Sequence, residues 1–409
     1  MIQRRLAQIC FAREFGRQMR FIAGPRQVGK TTLAREFLKE KGSPSFYYNW
    51  DDRSIRQRYR EHPQFVWDDV QSGPKKQNGH WVCFDEIHKM PKWKNILKGI
   101  FDALEPAVGI IVTGSARLDY FRRSGDSLAG RYFLFHLSPI SLFELTGKAA
   151  HQPMILPKDP FHFIEQRLEN LRYHQEAMES LLRWSGFPEP LLKGTDTFNR
   201  KWHQDYLERL VREDIRDLTH VQELDNVVNL VSLLPQRIGS PLSLNSLRED
   251  LEVSHTAVRN YVKALELTYA LFQVLPYSRK IQRSVRKEKK VYFFDWAIVP
   301  EGGIRFENYI ACELLGLVNV WNDAGLGAFE LRYIRTRLPQ ETDFLIVREG
   351  RPWILFEAKV SDQPILKHHL DHARILGNIP IVQLVQRPGI TRREESLGFS
   401  ISASRFLGA

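Results

Sequence analysis

Two groups of residues in this chain have the types and spacings that chemistry requires. The first is Gly24-Pro25-Arg26-Gln27-Val28-Gly29-Lys30-Thr31, followed by Thr32, in the spacing G-x-x-x-x-G-K-[ST]. Apolar residues precede it (Met19, Phe21, Ile22, Ala23) and a helix-forming run, Thr32 to Lys39, follows. That strand–loop–helix setting gives the pattern its meaning. Glycines let backbone N–H groups close around phosphates, Lys30 reaches the β- and γ-phosphates, and the Thr31 hydroxyl helps hold Mg2+. Downstream, the apolar run Trp81-Val82-Cys83-Phe84 ends in Asp85-Glu86. Asp85 is expected in the Mg2+ shell, and Glu86 is expected to orient or deprotonate the attacking water. Phosphoryl transfer is mostly positioning and charge neutralisation. A further apolar run, Ile110-Ile111-Val112, ends in Thr113-Gly114-Ser115, where Ser115 is placed to touch the γ-phosphate or the water. Arg131 follows Ser127-Leu128-Ala129-Gly130 and opens another strand. It has two competing roles: a finger completing a neighbouring subunit's site, which demands a homo-oligomer, or a salt bridge within the chain. Together these residues point to binding and hydrolysis of ATP.

The second group lies near the other end. Asp343 opens the run Phe344-Leu345-Ile346-Val347, a turn follows at Glu349-Gly350-Arg351-Pro352, and Trp353-Ile354-Leu355-Phe356 leads into Glu357-Ala358-Lys359. Glu357 and Lys359 are two apart and share one face of a strand. A hairpin brings Asp343 beside them. Converging carboxylates with a lysine suit a Mg2+-dependent nuclease: the acids bind the ion and the lysine orients water or stabilises the charged phosphorane. Glu307, on a preceding helical stretch, is a candidate additional ligand.

Residues 1–150 alternate strands and helices, as in a doubly wound α/β domain, and residues 151–238 are helical. Between Ser243 and Leu265 two amphipathic segments flank Glu252-Val253-Ser254, with Ser243 and Ser254 as N-caps. The β-prone runs Leu271–Leu275 and Val291–Phe294 bracket a basic loop, so residues 239–298 read as a winged helix-turn-helix. Arg279 to Lys290 holds seven basic residues and one acid, suited to phosphate contacts, with His255, Thr256, Arg259 and Asn260 facing a groove. Residues 299–409 form the last domain, a helix followed by strands and a final helix.

The net charge of +11 and pI near 9.5 suit a polyanionic partner, DNA or RNA. No apolar run approaches a membrane span, and the amino terminus lacks the apolar core of a signal peptide. Three scattered cysteines support neither a disulfide framework nor a structural zinc site, so a cytoplasmic setting is expected.

The stretches Gly24 to Thr32, Phe84-Asp85-Glu86-Ile87-His88-Lys89-Met90-Pro91-Lys92-Trp93, Thr113-Gly114-Ser115 and Leu128-Ala129-Gly130-Arg131 together resemble a prokaryotic family of AAA-type ATPases. His88 stands where that family's pattern leads one to expect Gln. The resemblance spans nearly the whole chain. It implies a P-loop parallel-sheet domain with a helical lid, the winged helix, and a C-terminal α/β domain of PD-(D/E)xK nuclease-like fold. In that fold the order helix Glu, strand Asp, strand Glu-x-Lys is matched by Glu307, Asp343, Glu357 and Lys359.

Overall fold

The computed structural model describes residues 2–73, 79–104, 107–114, 128–147, 159–216, 221, 223–278, 288–336 and 340–409. The chain divides into two compact units, Arg4–Leu137 and Ser138–Ala409, the latter joined by Met1–Gln3.

In the first unit five strands form one parallel sheet: β1 Met19–Ala23, β2 Tyr47–Asn49, β3 Trp81–Asp85, β4 Gly109–Thr113 and β5 Tyr132–His136. Their order is β2-β3-β4-β1-β5. Every residue of β1 is buried, and β3 and β4 are buried beyond their first residue. Continuous apolar strands of this kind belong at the centre of a sheet covered on both faces. Helix α1 (Lys30–Glu40) leaves the end of β1 and buries Leu33, Ala34, Phe37 and Leu38 along one stripe. The register sets Asp85 beside both Asn49 and Thr113. Thr113 in turn sits beside Ile22. The carboxyl ends of four neighbouring strands therefore converge where the Gly24 loop begins, the edge at which open α/β sheets bind ligands.

The second unit has an eight-stranded mixed sheet of order β12-β13-β11-β10-β9-β8-β6-β7. Its strands are β6 Leu271–Pro276, β7 Lys290–Phe293, β8 Phe329–Arg335, β9 Glu341–Arg348, β10 Arg351–Lys359, β11 Ile381–Val385, β12 Thr391–Glu394 and β13 Gly398–Ser402. The helix-turn-helix reading rests here on α2 (Leu244–Leu251) and α3 (His255–Leu267). The Ser243 and Ser254 hydroxyl oxygens accept from the backbone N–H of Ser246 and Ala257 at 3.3 and 3.1 Å, as N-caps do. Glu252 takes a left-handed conformation (φ 53°) and closes α2.

The hairpin β6–β7 that would form the wing is not a detached ribbon. Leu275 and Pro276 of β6 pair in parallel with Arg332 and Tyr333 of β8, so the hairpin is one edge of the large sheet. The helix Pro160–Glu169 also shares this core: the ring of Phe163 packs on Trp321, Trp353 and Phe406. Helix α4 (Gly303–Asp323) covers the same sheet and buries Phe306, Tyr309, Ile310 and Leu314. Each such fully buried large apolar side chain contributes about 1.5–3 kcal/mol relative to exposure. Helical stretch, hairpin and C-terminal strands are therefore held by common burial.

Among the described residues no helix is long and apolar enough to cross a membrane. Among the described residues Cys10, Cys83 and Cys312 are buried and in no disulfide.

Candidate functional site

The loop from Gly24 to Gly29 is shaped by conformations that glycine adopts at little cost. Gly24 has φ +146°, and a Cβ there would stand 2.2 Å from the Leu137 carbonyl oxygen. Gly29 (φ 104°) opens α1, whose first N–H groups point into the loop. Pro25, Arg26, Gln27 and Val28 span the two glycines, with Gln27 at φ 61°. Lys30 is folded onto this loop, its ammonium donating to the carbonyls of Gly24 at 2.8 Å and Pro25 at 2.6 Å. Thr32 lies in the first turn of α1.

Asp85 is the hub. It is buried, and its carboxylate accepts from the hydroxyls of Thr31 (2.8 Å), Thr113 and Tyr47. Thr31 and Asp85 were expected to share a Mg2+ ion. Two hard oxygen donors within hydrogen-bond distance, beside the Gly24 loop, fit that ion, which keeps other positions for phosphate oxygens and water. Glu86 follows in a left-handed turn (φ 57°), fixed by its N–H donating to the Thr113 carbonyl at 3.0 Å. Burial raises its pKa above the usual glutamate value, against the lowering influence of Lys89. Lys89 lies 3.7 Å from Glu86 and pairs with Asp51 at 2.6 Å, and His88 approaches Glu86 at 3.4 Å. Burial, with Asp85 beside it, also raises the pKa of Tyr47.

Ser115 and the basic loop 279–287 lie outside the described residues. Arg131 pairs with Asp102 at 3.2 Å within the same unit, the salt-bridge geometry that competed with the finger role. Tyr47 escaped the sequence reading. Its only signal there was its place in the aromatic run that becomes β2.

The second group is also brought together. β9 and β10 are antiparallel with Phe344 opposite Phe356, which puts Asp343 beside Glu357. The Asp343 N–H donates to Glu357 (3.2 Å), and the Ala358 N–H donates to Asp343 (3.0 Å). Lys359 donates to Glu357 at 2.6 Å. Glu307 on α4 accepts from the Tyr292 hydroxyl at 2.8 Å. Burial and the neighbouring Asp343 raise Glu307 to about 7 and Glu357 to about 8.

Lys290 changes the meaning of this cluster. Read in the sequence as part of the phosphate-contacting basic run, it is instead fully buried, with its ammonium 2.6 Å from Glu341, 3.2 Å from Glu307 and 3.4 Å from Asp343. Burial alone would lower its pKa, yet the three carboxylates outweigh that and raise it. Among the described residues no three His, Cys, Asp or Glu side chains are arranged to hold a metal ion. The donor types at Glu307, Asp343 and Glu357 suit Mg2+, but their arrangement does not fit it, because the Lys290 ammonium already pairs with Glu307 and Asp343.

Residues 16–146 match the family model of an AAA domain. This part of the chain is similar to AAA domains. Residues 175–301 match a domain of unknown function, DUF8612. Among curated relatives, the uncharacterized protein Rv2008c of Mycobacterium tuberculosis is 22% identical over 369 residues, covering 87% of this chain and 73% of the relative. The uncharacterized protein MJ1637 of Methanocaldococcus jannaschii is 24% identical over 294 residues, covering 68% of this chain and 60% of the relative. Solved structures similar to this chain include the Orc1 protein of Aeropyrum pernix in complex with DNA (16% identity, 71% of this chain and 87% of that one, TM-score 0.27). AMPPCP-bound DnaA from Aquifex aeolicus is another (18% identity, 61% and 81%, TM-score 0.26).

Proposed function

We propose that the AAA domain binds and hydrolyses ATP and that the chain acts on DNA. In this reading the nuclease-like second unit binds its partner without cutting it, its acids held in ion pairs. The observation that carries the first half is the convergence of Thr31, Tyr47 and Thr113 on the Asp85 carboxylate beside the Gly24 loop. Thr31 and Asp85 would hold Mg2+, which when bound neutralises charge on the β- and γ-phosphates. Lys30 exchanges the loop carbonyls for phosphate oxygens as ATP enters. Glu86 accepts a proton from the attacking water, and its backbone tie to Thr113 keeps it at the strand end. Arg131, released from Asp102, completes a neighbouring copy's site in a homo-oligomer.

DNA as the partner is supported by the excess of positive charge, +11 over the chain. The absence of cutting is supported by Lys290, whose ammonium stands 3.2 Å from Glu307 and 3.4 Å from Asp343, where the ion that such chemistry needs would sit.

The test is turnover. Lys30→Ala should abolish ATP binding. Glu86→Gln should bind ATP and hydrolyse it about 100-fold more slowly, the lower range for loss of a general base. Glu86→Gln turnover equal to the parent would remove the assignment. Duplex DNA incubated with Mg2+ and ATP should stay intact while ATP is consumed.

A further inference from the structure

A buried ammonium is tolerated only when its charge and its donors are matched. Lys290 has three N–H donors and three carboxylates within reach, Glu341 at 2.6 Å, Glu307 at 3.2 Å and Asp343 at 3.4 Å. Its side chain has no exposure to solvent, and the ammonium lies 5.6 Å from the centre of the Tyr333 ring. The surroundings hold it in place. Lys290 bridges to Pro241, next to which Leu242 donates its N–H to the Lys289 carbonyl at 2.8 Å. Tyr292, two residues on and so on the same face of β7, anchors Glu307 through its hydroxyl. A Cβ added at Gly239 would meet the Glu307 carboxylate at 2.8 Å, so the backbone packs closely against the acid. These partners come from α4, β7, β9 and the 239–242 segment.

We infer that Lys290 is the resident cation of the Glu307–Asp343–Glu341 cluster, taking the place a divalent ion would need, so that this unit takes up no metal there. Lys359 serves Glu357 in the same manner, at 2.6 Å. The cluster is then a built-in set of ion pairs that pins β7 and α4 to the sheet. The inference deepens the reading that this half binds without cutting.

The probe is Mn2+, counted by electron paramagnetic resonance on the full chain without nucleotide. The parent and Asp343→Asn should bind the same number of ions. Lys290→Met should gain one Mn2+, and Lys290→Met combined with Asp343→Asn should lose it again. A Mn2+ ion in the parent that Asp343→Asn removes would overturn the inference, as would a folded Lys290→Met that gains none. If Lys290→Met does not fold, the comparison of the parent with Asp343→Asn still decides. DNA cleavage by a parent that binds no such ion sinks the non-cutting reading and supports the assignment of Lys290, so the two failures separate.

Discussion

Asp85 shows how a single buried carboxylate is satisfied. Three hydroxyls from three elements, α1, β2 and β4, donate to it, as a buried charge requires. Glu86, one residue on, has the opposite preparation. Its surroundings favour the protonated acid, which makes it a stronger base once ionised. If Glu86 takes the water's proton, only the ionised form is active. Turnover should therefore fall as pH drops, with its midpoint above the usual glutamate value. Lys89 favours the ionised form. Lys89→Ala should move the acid limb of the kcat profile to higher pH, the more so because Asp51 loses its partner and then presents a bare charge to Glu86. A limb that stays put or moves down would show that another group controls it.

Among the elements, the β7–α4–β9–β10 corner buries more carboxyl groups than it has lysines to pair with them. Burial, with Asp343 adjacent, raises Glu307 and Glu357 to about 7 and about 8. The folded state thus favours their protonated forms more than the unfolded chain does. That contribution is fully present below the ordinary glutamate value and is lost as pH rises through the raised ones. The second unit should melt at lower temperature at pH 8.5 than at pH 5.5, followed by circular dichroism, and Glu357→Gln should flatten that difference. An unchanged slope in Glu357→Gln would place the dependence elsewhere. This corner also shows what the sequence made legible. The Gly24 to Thr31 loop was readable as a loop between strand and helix because its residues are contiguous and its geometry is local. Asp343, Glu357 and Lys359 were readable from strand periodicity and one turn. Lys290 was not, because its meaning depends on Asp343, 53 residues away, and on α4. A period-two reading of Lys290, Val291, Tyr292 and Phe293 would have put Lys290 and Tyr292 on one face. The basic run preceding them disguised that pattern as a solvated loop. The wing hairpin was legible as a hairpin, whereas its membership of an eight-stranded sheet was not, since parallel pairing with β8 leaves no local mark.

For the whole molecule the governing quantity is charge. The chain carries 59 basic and 48 acidic residues. Many of the basic ones are neutralised internally: Lys290 and Lys359 by buried or half-buried acids, Arg131 by Asp102, and Arg392 by Asp362 and Glu394. Affinity for a polyanion must come from other cations, and in the sequence Arg279–Lys287 is a dense run of basic residues, with Arg279, Lys280, Arg283, Arg286 and Lys287. Each phosphate neutralised releases counterions, and log Kobs falls with log salt at roughly 0.9 per contact on duplex DNA. If Arg283, Arg286 and Lys287 each meet one phosphate, replacing all three with glutamine should weaken binding at low salt. The same change should make the salt slope shallower by roughly 2.7. Lys290→Gln gives the contrast. Buried among carboxylates, it should leave the salt slope unchanged while lowering the melting temperature. Fluorescence anisotropy of a labelled duplex over a salt series reads both slopes. Equal slopes for the parent and the triple variant would show that this segment does not hold the nucleic acid.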